Sequence, residues 1–373
     1  MDSLTQMALG AAVGGAVLGR KAGPRAFVWG AICGTMPDLD VLISHGDAIR
    51  DFTFHRAETH AFFYQTLAAP LIALAPHRLH RREGVSYRAW LLLVWLCLTT
   101  HAVLDAFTVY GTQLLLPFSD FPVGLGSIFV IDPLYTLPLL VGMALALALG
   151  SRSHRAAAWN AGGLAIATLY LGWSVAAQSH VAGVVQRSLA ASGVDSGRVL
   201  VTPTAFNTLL WRVVVMEETG FREGFVSLFD GPGPVAFTAY PSRVELIEPL
   251  RTEWTVQRLA WFSKGFYAVA LADSTAVAAA PRSPARATPI AAAAAAGATA
   301  AGDAVIVMAD LRMGQVPWFV FTFVVGEVEP AGIVAVEPQQ LPVQRPTRRV
   351  LRWIWHRIWT ESAGAPPVAT RAD

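Results

Sequence analysis

Six apolar stretches crowd the first 178 residues, and they limit what this part of the chain can become more than any other feature. They run 4–18, 26–44, 57–76, 89–108, 127–150 and 157–177. About 20 apolar residues in a helix cross a hydrocarbon core of about 30 Å, and only helices and closed barrels satisfy their backbone in lipid. The fourth and fifth stretches are long and apolar enough to span. The first is short and rich in Gly and Ala, and it reads as a re-entrant or closely packed helix, because small residues let backbones approach. Composition points the same way, with 54% hydrophobic and 14% charged residues, against about 25% charged in soluble domains. The N-terminus carries its charges after the apolar run and reads as a retained segment.

Lys and Arg concentrate in alternate loops. "GRKAGPR", "HRLHRREGVSYR" and "SRSHR" hold nine basic residues, whereas 45–56 and 109–126 hold Arg50 and Arg56. The positive-inside rule makes the first set cytoplasmic. Six crossings then place everything after residue 178 on the non-cytoplasmic side.

Downstream of residue 178 the pattern changes. Short β-rich runs with Gly and Pro turn signals fill 199–240, a helical pattern covers 244–265, and strand-like runs follow at "FYAVALA", "AVIVMADLRM" and "WFVFTFVVGEV". The expected fold class is an α-helical polytopic membrane domain of about five or six transmembrane helices over 1–178, followed by a small α+β extramembrane domain over 199–340. An Ala/Pro-rich flexible insertion interrupts it at about 273–302. The tail 345–360 interleaves Arg with Trp, which suits a helix lying at a bilayer surface or a disordered basic tail. The bilayer is the partner this composition demands. A net charge of +2, with Arg clustered in short loops, presents no nucleic-acid-binding face. Cys33 and Cys97 sit singly in apolar runs and read as small buried hydrophobes.

Four polar constellations interrupt the apolar stretches. "PDLD" carries Asp38 and Asp40; "HRAETH" carries His55, Arg56, Glu58, Thr59 and His60; "HAVLD" places His101 and Asp105 one helical turn apart; "IDP" carries Asp132. Ionisable groups in lipid are costly and gather around cavities with partners. In the topology above all four constellations fall at the non-cytoplasmic face, although the charge count used none of them. Mixed His and carboxylate ligands without Cys suit Zn²⁺ first, then Mn²⁺ or Fe²⁺, and more than four such ligands are enough for two ions. Asp38, Asp40, His55, His60, His101 and Asp105 are the candidate metal ligands. Arg56 is a candidate anion clamp and Glu58 a candidate general base or orienting partner. Competing readings are a helix cap for Asp38 and Asp40, a packed core histidine for His101, and interfacial loop positions for His55 and His60; Asp132 before Pro133 reads equally as a cap and as a site residue.

These residues lie in motifs that resemble the YdjM-like family of inner-membrane proteins: "MDSLTQMALGAAVG", "GTMPDLDVL", "HRAETHA", "HAVLDAFTVYGTQLLLPFS" and "IFVIDPLYTLPLL". "TPTAFNTLLWRVVV" and "DLRMG" resemble the longer members. The resemblance implies a multi-pass inner-membrane, metal-dependent hydrolase, with metal held by the PDLD, HRxxTH and HxxxD residues already named. A distant similarity of the family to zinc phospholipase C and nuclease folds implies a phosphoester or lipid-linked substrate. Ala57 and Ala61 stand where the family pattern has Gly and Ser. Two other classes compete: an ion- or proton-coupled transporter, which would need polar groups through the inner halves of the helices, and a non-enzymatic membrane scaffold.

Overall fold

In the helical region, one helix shows how the apolar stretches become structure. In the computed structural model α5 (Tyr87–Ala106) starts at Ser86, whose hydroxyl accepts a hydrogen bond from the Ala89 amide. Its buried stripe runs Trp90, Leu93, Val94, Cys97 and Leu98, then continues into His101, Leu104 and Asp105. Among the described residues this is the helix long and apolar enough to cross a membrane. The structure describes residues 1–193, 197–274, 304–342, 348–361, 364 and 366–367. It has a helical N-terminal region followed by a sheet-containing C-terminal region and divides into two units. The first comprises Met1–Ile43, Phe54–Ala176 and Ala205–Thr208. The Ala/Pro-rich segment read as an insertion lies almost wholly outside the described residues.

In the first unit α1 (Ser3–Ala22) is capped by the Asp2 carboxylate, which accepts from the Leu4 and Thr5 amides. Then α2 (Pro24–Thr35) follows Gly23 and has proline in its first turn. The stretch 26–44 was expected as one segment, but α2 ends at Thr35 and a 3-10 turn occupies Pro37–Leu42. Pro37 has no N–H to continue the helical ladder, and its ring crowds the carbonyl four residues back. The chain therefore turns where Asp38 and Asp40 stand. A second 3-10 turn, Glu58–His60, leads into α4 (Phe62–Leu79). Next come α6 (Pro133–Ala148), shorter than its apolar stretch, and α7 (His154–Ala191), longer than its own. Residues 205–208 belong to this unit: the Thr208 hydroxyl bonds Tyr170 Oη at 3.0 Å and accepts from Trp173 Nε1 at 3.1 Å.

The second unit comprises Ser44–Thr53, Ala177–Thr204 and Leu209–Asp373. It contains two four-stranded antiparallel sheets. One is β1 (Val199–Pro203), β2 (Leu210–Glu217), β3 (Gly220–Ser227) and β4 (Phe237–Pro241), in that order. The other combines β5 (Tyr267–Asp273), β6 (Ala304–Asp310), β9 (Thr322–Glu329) and β10 (Gly332–Gln340) in the order β10-β9-β6-β5. A two-stranded ribbon, β7 (Gly314–Gln315) and β8 (Trp318–Phe319), lies between β6 and β9 in sequence. Val214 and Phe221 of the first sheet share a core with Ala268, Val305, Val307 and Val324 of the second. The other face of the first sheet, Trp211, Val213 and Val215, takes the stripe Ala177, Val181, Val185 and Leu189 of α7, spaced four apart as a helix face requires. The helical pattern expected over 244–265 splits at Pro249 into a 3-10 turn, Val244–Leu250, and α8 (Trp254–Phe262). Phe52 of α3 (Ala48–Phe54) packs on Phe262, Phe321 and Phe323. Within the core Arg212 Nε donates to Glu223 Oε1 at 2.6 Å, and burial pushes the Glu223 carboxyl above its ordinary range despite that cation.

Candidate metal centre

The site begins with four glycines. Gly10 and Gly14 of α1 face Gly30 and Gly34 of α2, and the backbones touch: a Cβ on Gly30 would lie 2.2 Å from the Gly10 carbonyl oxygen, and one on Gly34 2.6 Å from that of Gln6. Small residues at four-residue spacing permit this approach. It sets the Gly34 carbonyl where α5 can reach it, and His101 Nδ1 donates to that oxygen at 2.6 Å. A carbonyl only accepts, so His101 carries its proton on Nδ1 and presents a lone pair at Nε2.

His60 is oriented by a different device with the same outcome. The Thr59 hydroxyl donates to Asp40 Oδ2 at 2.9 Å and accepts from His60 Nδ1 at 2.9 Å. Again Nε2 is left as an acceptor. The two Nε2 atoms stand 3.0 Å apart. Asp38 Oδ1 lies 3.5 Å from each, and Asp105 Oδ2 lies 3.3 Å from His60 Nε2 and 3.4 Å from His101 Nε2. These four donor atoms all fall within 4.8 Å of one another, in a pocket where His60, His101 and Asp105 are buried. Asp38 Oδ1 and Asp105 Oδ2 are buried without a hydrogen-bond partner.

Two imidazole lone pairs and two carboxylate oxygens are mutually repulsive unless a proton or a cation stands among them. The spacing admits a cation. A tetrahedral site with bonds of about 2.0–2.1 Å has ligand-to-ligand edges of about 3.3 Å. Five of the six separations, 3.0 to 3.5 Å, bracket that edge, and all six lie within 4.8 Å. The donor set therefore fits a small divalent cation.

The surrounding groups hold Asp105 in place. Its Oδ1 accepts from Gln6 Nε2 at 2.9 Å and meets the Met1 ammonium. Arg56 Nε lies 3.2 Å from its Oδ2, with Arg56 Nη1 donating to the Thr108 hydroxyl at 3.2 Å and the guanidinium 4.9 Å from the centre of the Tyr110 ring. Arg56 has a left-handed backbone, φ 65°, unusual for a side chain of this size. Its amide donates to Asp40 Oδ2 at 2.9 Å and its carbonyl accepts from Gln113 N at 3.0 Å, so both ends of that conformation are tied.

Six residues were expected as ligands, and the structure gathers four of them, Asp38, His60, His101 and Asp105, around one point. Asp40 and His55 pair beside it: His55 Nδ1 lies 2.7 Å from Asp40 Oδ1, and the His55 ring centre is 6.2 Å from that of His60. Of the three candidate catalytic residues, only Arg56 reaches the centre. Glu58 is exposed on its 3-10 turn. Asp132 caps α6, accepting from Leu134 N and from the Tyr170 hydroxyl, each at 2.9 Å. The Gly34 carbonyl and Gln6 escaped sequence reasoning, and only the matched four-residue spacing of the glycines pointed towards them.

Residues 1–181 match the model of the YdjM inner membrane protein family. The match takes in 181 of the 373 residues, and it is the helical region that is similar to that family. No curated protein and no solved structure matches the chain. The YdjM match contains every residue of the four-atom cluster, together with Asp40, His55, Arg56 and Thr59, and it ends before β1. The matched family is one of inner membrane proteins, and the similarity supports an inner-membrane location. Within the YdjM region the carboxylate and imidazole donors come from three separate places, the turn after α2, the turn before α4 and the end of α5.

Proposed function

We propose that the protein is a membrane-bound metal-dependent hydrolase whose divalent cation is held by Asp38, His60, His101 and Asp105. The observation that carries this reading is the set of four unsatisfied or lone-pair donor atoms within 4.8 Å of one another. Two imidazoles and two carboxylates suit Zn²⁺ first and Mn²⁺ or Fe²⁺ next. Such an ion supplies Lewis acidity and acidifies water at neutral pH. The chain supplies the rest. Gly34 and the Asp40–Thr59 pair aim the two imidazoles, and Arg56 offsets the charge of Asp105. Asp40 holds His55 through Nδ1, which leaves Nε2 as the atom to carry a proton to or from the substrate.

The substrate in this reading is a phosphoester or a lipid-linked molecule at the non-cytoplasmic face. Two features support it: the basic loops at the opposite ends of the helices, and a buried guanidinium beside the cation position. A six-crossing bundle is the proposed topology, with the sheet-containing region on the non-cytoplasmic side. Large apolar side chains exposed on several helices support immersion in lipid, among them Val28, Leu71, Leu137, Val141 and Leu169.

Elemental analysis of the purified full chain tests the reading, together with hydrolysis of bis-p-nitrophenyl phosphate before and after chelation. About one equivalent of divalent metal is expected in the wild type, with a loss of more than tenfold in His101→Ala and Asp105→Ala. His55→Gln should keep its metal and lose turnover. Metal-free wild type, or unchanged metal in both ligand variants, refutes the centre; lost metal in His55→Gln refutes only the role given to that residue.

A further inference from the structure

The metal centre leaves one sequence motif unused, the Arg/Trp helix α9 (Arg348–Trp359). Within its own unit it seats Val350, Trp353, Ile354, Arg357 and Ile358 as a buried face. Trp353 meets Phe225 edge to face at 4.9 Å, the Ser227 hydroxyl donates to the Ile358 carbonyl at 2.7 Å, and Arg357 donates twice to Asp230 at 2.6 and 2.7 Å. The aliphatic side is thus occupied by protein. A different stripe remains outside: Arg348, Arg352, Trp355 and Trp359, at positions i, i+4, i+7 and i+11, all exposed. Trp355 is 50% exposed and Trp359 65%. Phe229, 57% exposed, stacks on Trp359 with ring centres 4.8 Å apart.

The patch has two chemistries in a fixed order. Cations stand at the N-terminal end, where the helix dipole disfavours them and an arriving anion would relieve the conflict. Indole and phenyl rings stand at the C-terminal end. No carboxylate lies on the stripe. An apolar protein groove has no use for the arginines, and a purely electrostatic surface none for three exposed rings; Trp at an interface and Arg near phosphate headgroups are both favourable.

We propose that this stripe of α9, with Phe229, docks on an anionic lipid bilayer. The rings enter the headgroup region and Arg348 and Arg352 meet lipid phosphates. The side that faces lipid is the Arg/Trp stripe, because the sheet has taken the more aliphatic one. The inference stands on the second unit alone and is independent of the metal reading.

The test uses the full chain in nanodiscs of phosphatidylcholine, with or without phosphatidylglycerol. An NBD label is placed at His356→Cys, an exposed position beside the stripe, and the unsubstituted chain, whose Cys33 and Cys97 are buried, controls for stray labelling. Nitroxide-bearing lipids should quench the label strongly in the anionic discs and weakly in the neutral ones. Arg348→Gln with Arg352→Gln should lower the docked-to-undocked ratio roughly 25-fold, at about fivefold per arginine. Trp355→Ser with Trp359→Ser should lower it without removing its dependence on anionic lipid. Absent quenching, equal quenching in both lipids, or indifference to the arginine change overturns the proposal. A label shielded from aqueous iodide yet unquenched by lipid also overturns it, and assigns the face to a protein partner.

Discussion

Thr59→Val is the sharpest perturbation of the candidate metal centre, because it removes one oxygen and no proposed ligand. That oxygen accepts from His60 Nδ1 and donates to Asp40 Oδ2, each at 2.9 Å. Without it the His60 imidazole keeps its place on the chain but loses what holds its ring against the repulsion of His101 Nε2 at 3.0 Å. In the metal-free protein the ring is then free to turn, and binding must restore its orientation. The neutral hydrogen bond to His60 at about 1 kcal/mol and the charge-assisted one to Asp40 at about 1.5 kcal/mol amount to about 2.5 kcal/mol, which is roughly a 70-fold weaker Kd. Outer partners of metal-bound histidines commonly show losses of about 10–100-fold. The assay is zinc competition against a chromophoric chelator, with Thr59→Ser as the variant that restores the hydroxyl. A Kd for Thr59→Val within about twofold of wild type would refute the orienting role, and so would a Thr59→Ser variant as weak as the valine.

Two further outcomes follow from packing and charge. Gly30→Ala puts a methyl carbon 2.2 Å from the Gly10 carbonyl oxygen, so α1 and α2 must separate; overpacking of this kind costs about 1–3 kcal/mol or more, and the displaced Gly34 carbonyl should weaken metal binding as well, read as a lower Tm together with a higher Kd. In the second unit, burial and then Arg312 depress the Lys264 ammonium to about 8. Its folded pKa lies below its unfolded value of 10.5, so the folded chain releases the proton first, and stability contributed by this group should rise as pH climbs from about 8 to 10.5. Lys264→Met should flatten that rise in the pH dependence of the sheet's melting temperature.

Much of the site was readable from spacing. His101 and Asp105 stand four apart on a buried stripe that begins at Trp90, so their common face follows from helix periodicity. Asp38 and Asp40 are both acidic and two apart, and spacing could not separate their roles. The 3-10 turn after Pro37 does so: one carboxylate meets the two imidazoles, while the other turns back to the Arg56 amide and Thr59. His55 was grouped with His60 by proximity in the chain, yet the positive φ at Arg56 lies between them and sends His55 to Asp40 instead. Asp132 offered a choice between cap and site residue, and Tyr170, distant in sequence, occupies its second oxygen. Similar limits appear in the fold. Hydropathy located α5 closely but ran 26–44 through a proline that ends the helix, and it stopped the sixth stretch at 177, where α7 trades an apolar circumference for a single stripe against a sheet.

The partner that fixes the His101 proton is a carbonyl, and this has a consequence for how the chain can vary. A main-chain oxygen has no residue identity; no substitution deletes it, and only a shift in distance disables it. The tautomer of one imidazole of the candidate centre is therefore encoded by the absence of side chains at Gly10, Gly14, Gly30 and Gly34, with Gly30 one helical turn from the carbonyl that the ring meets. Variation there would act on metal binding while leaving every polar residue of the centre in place.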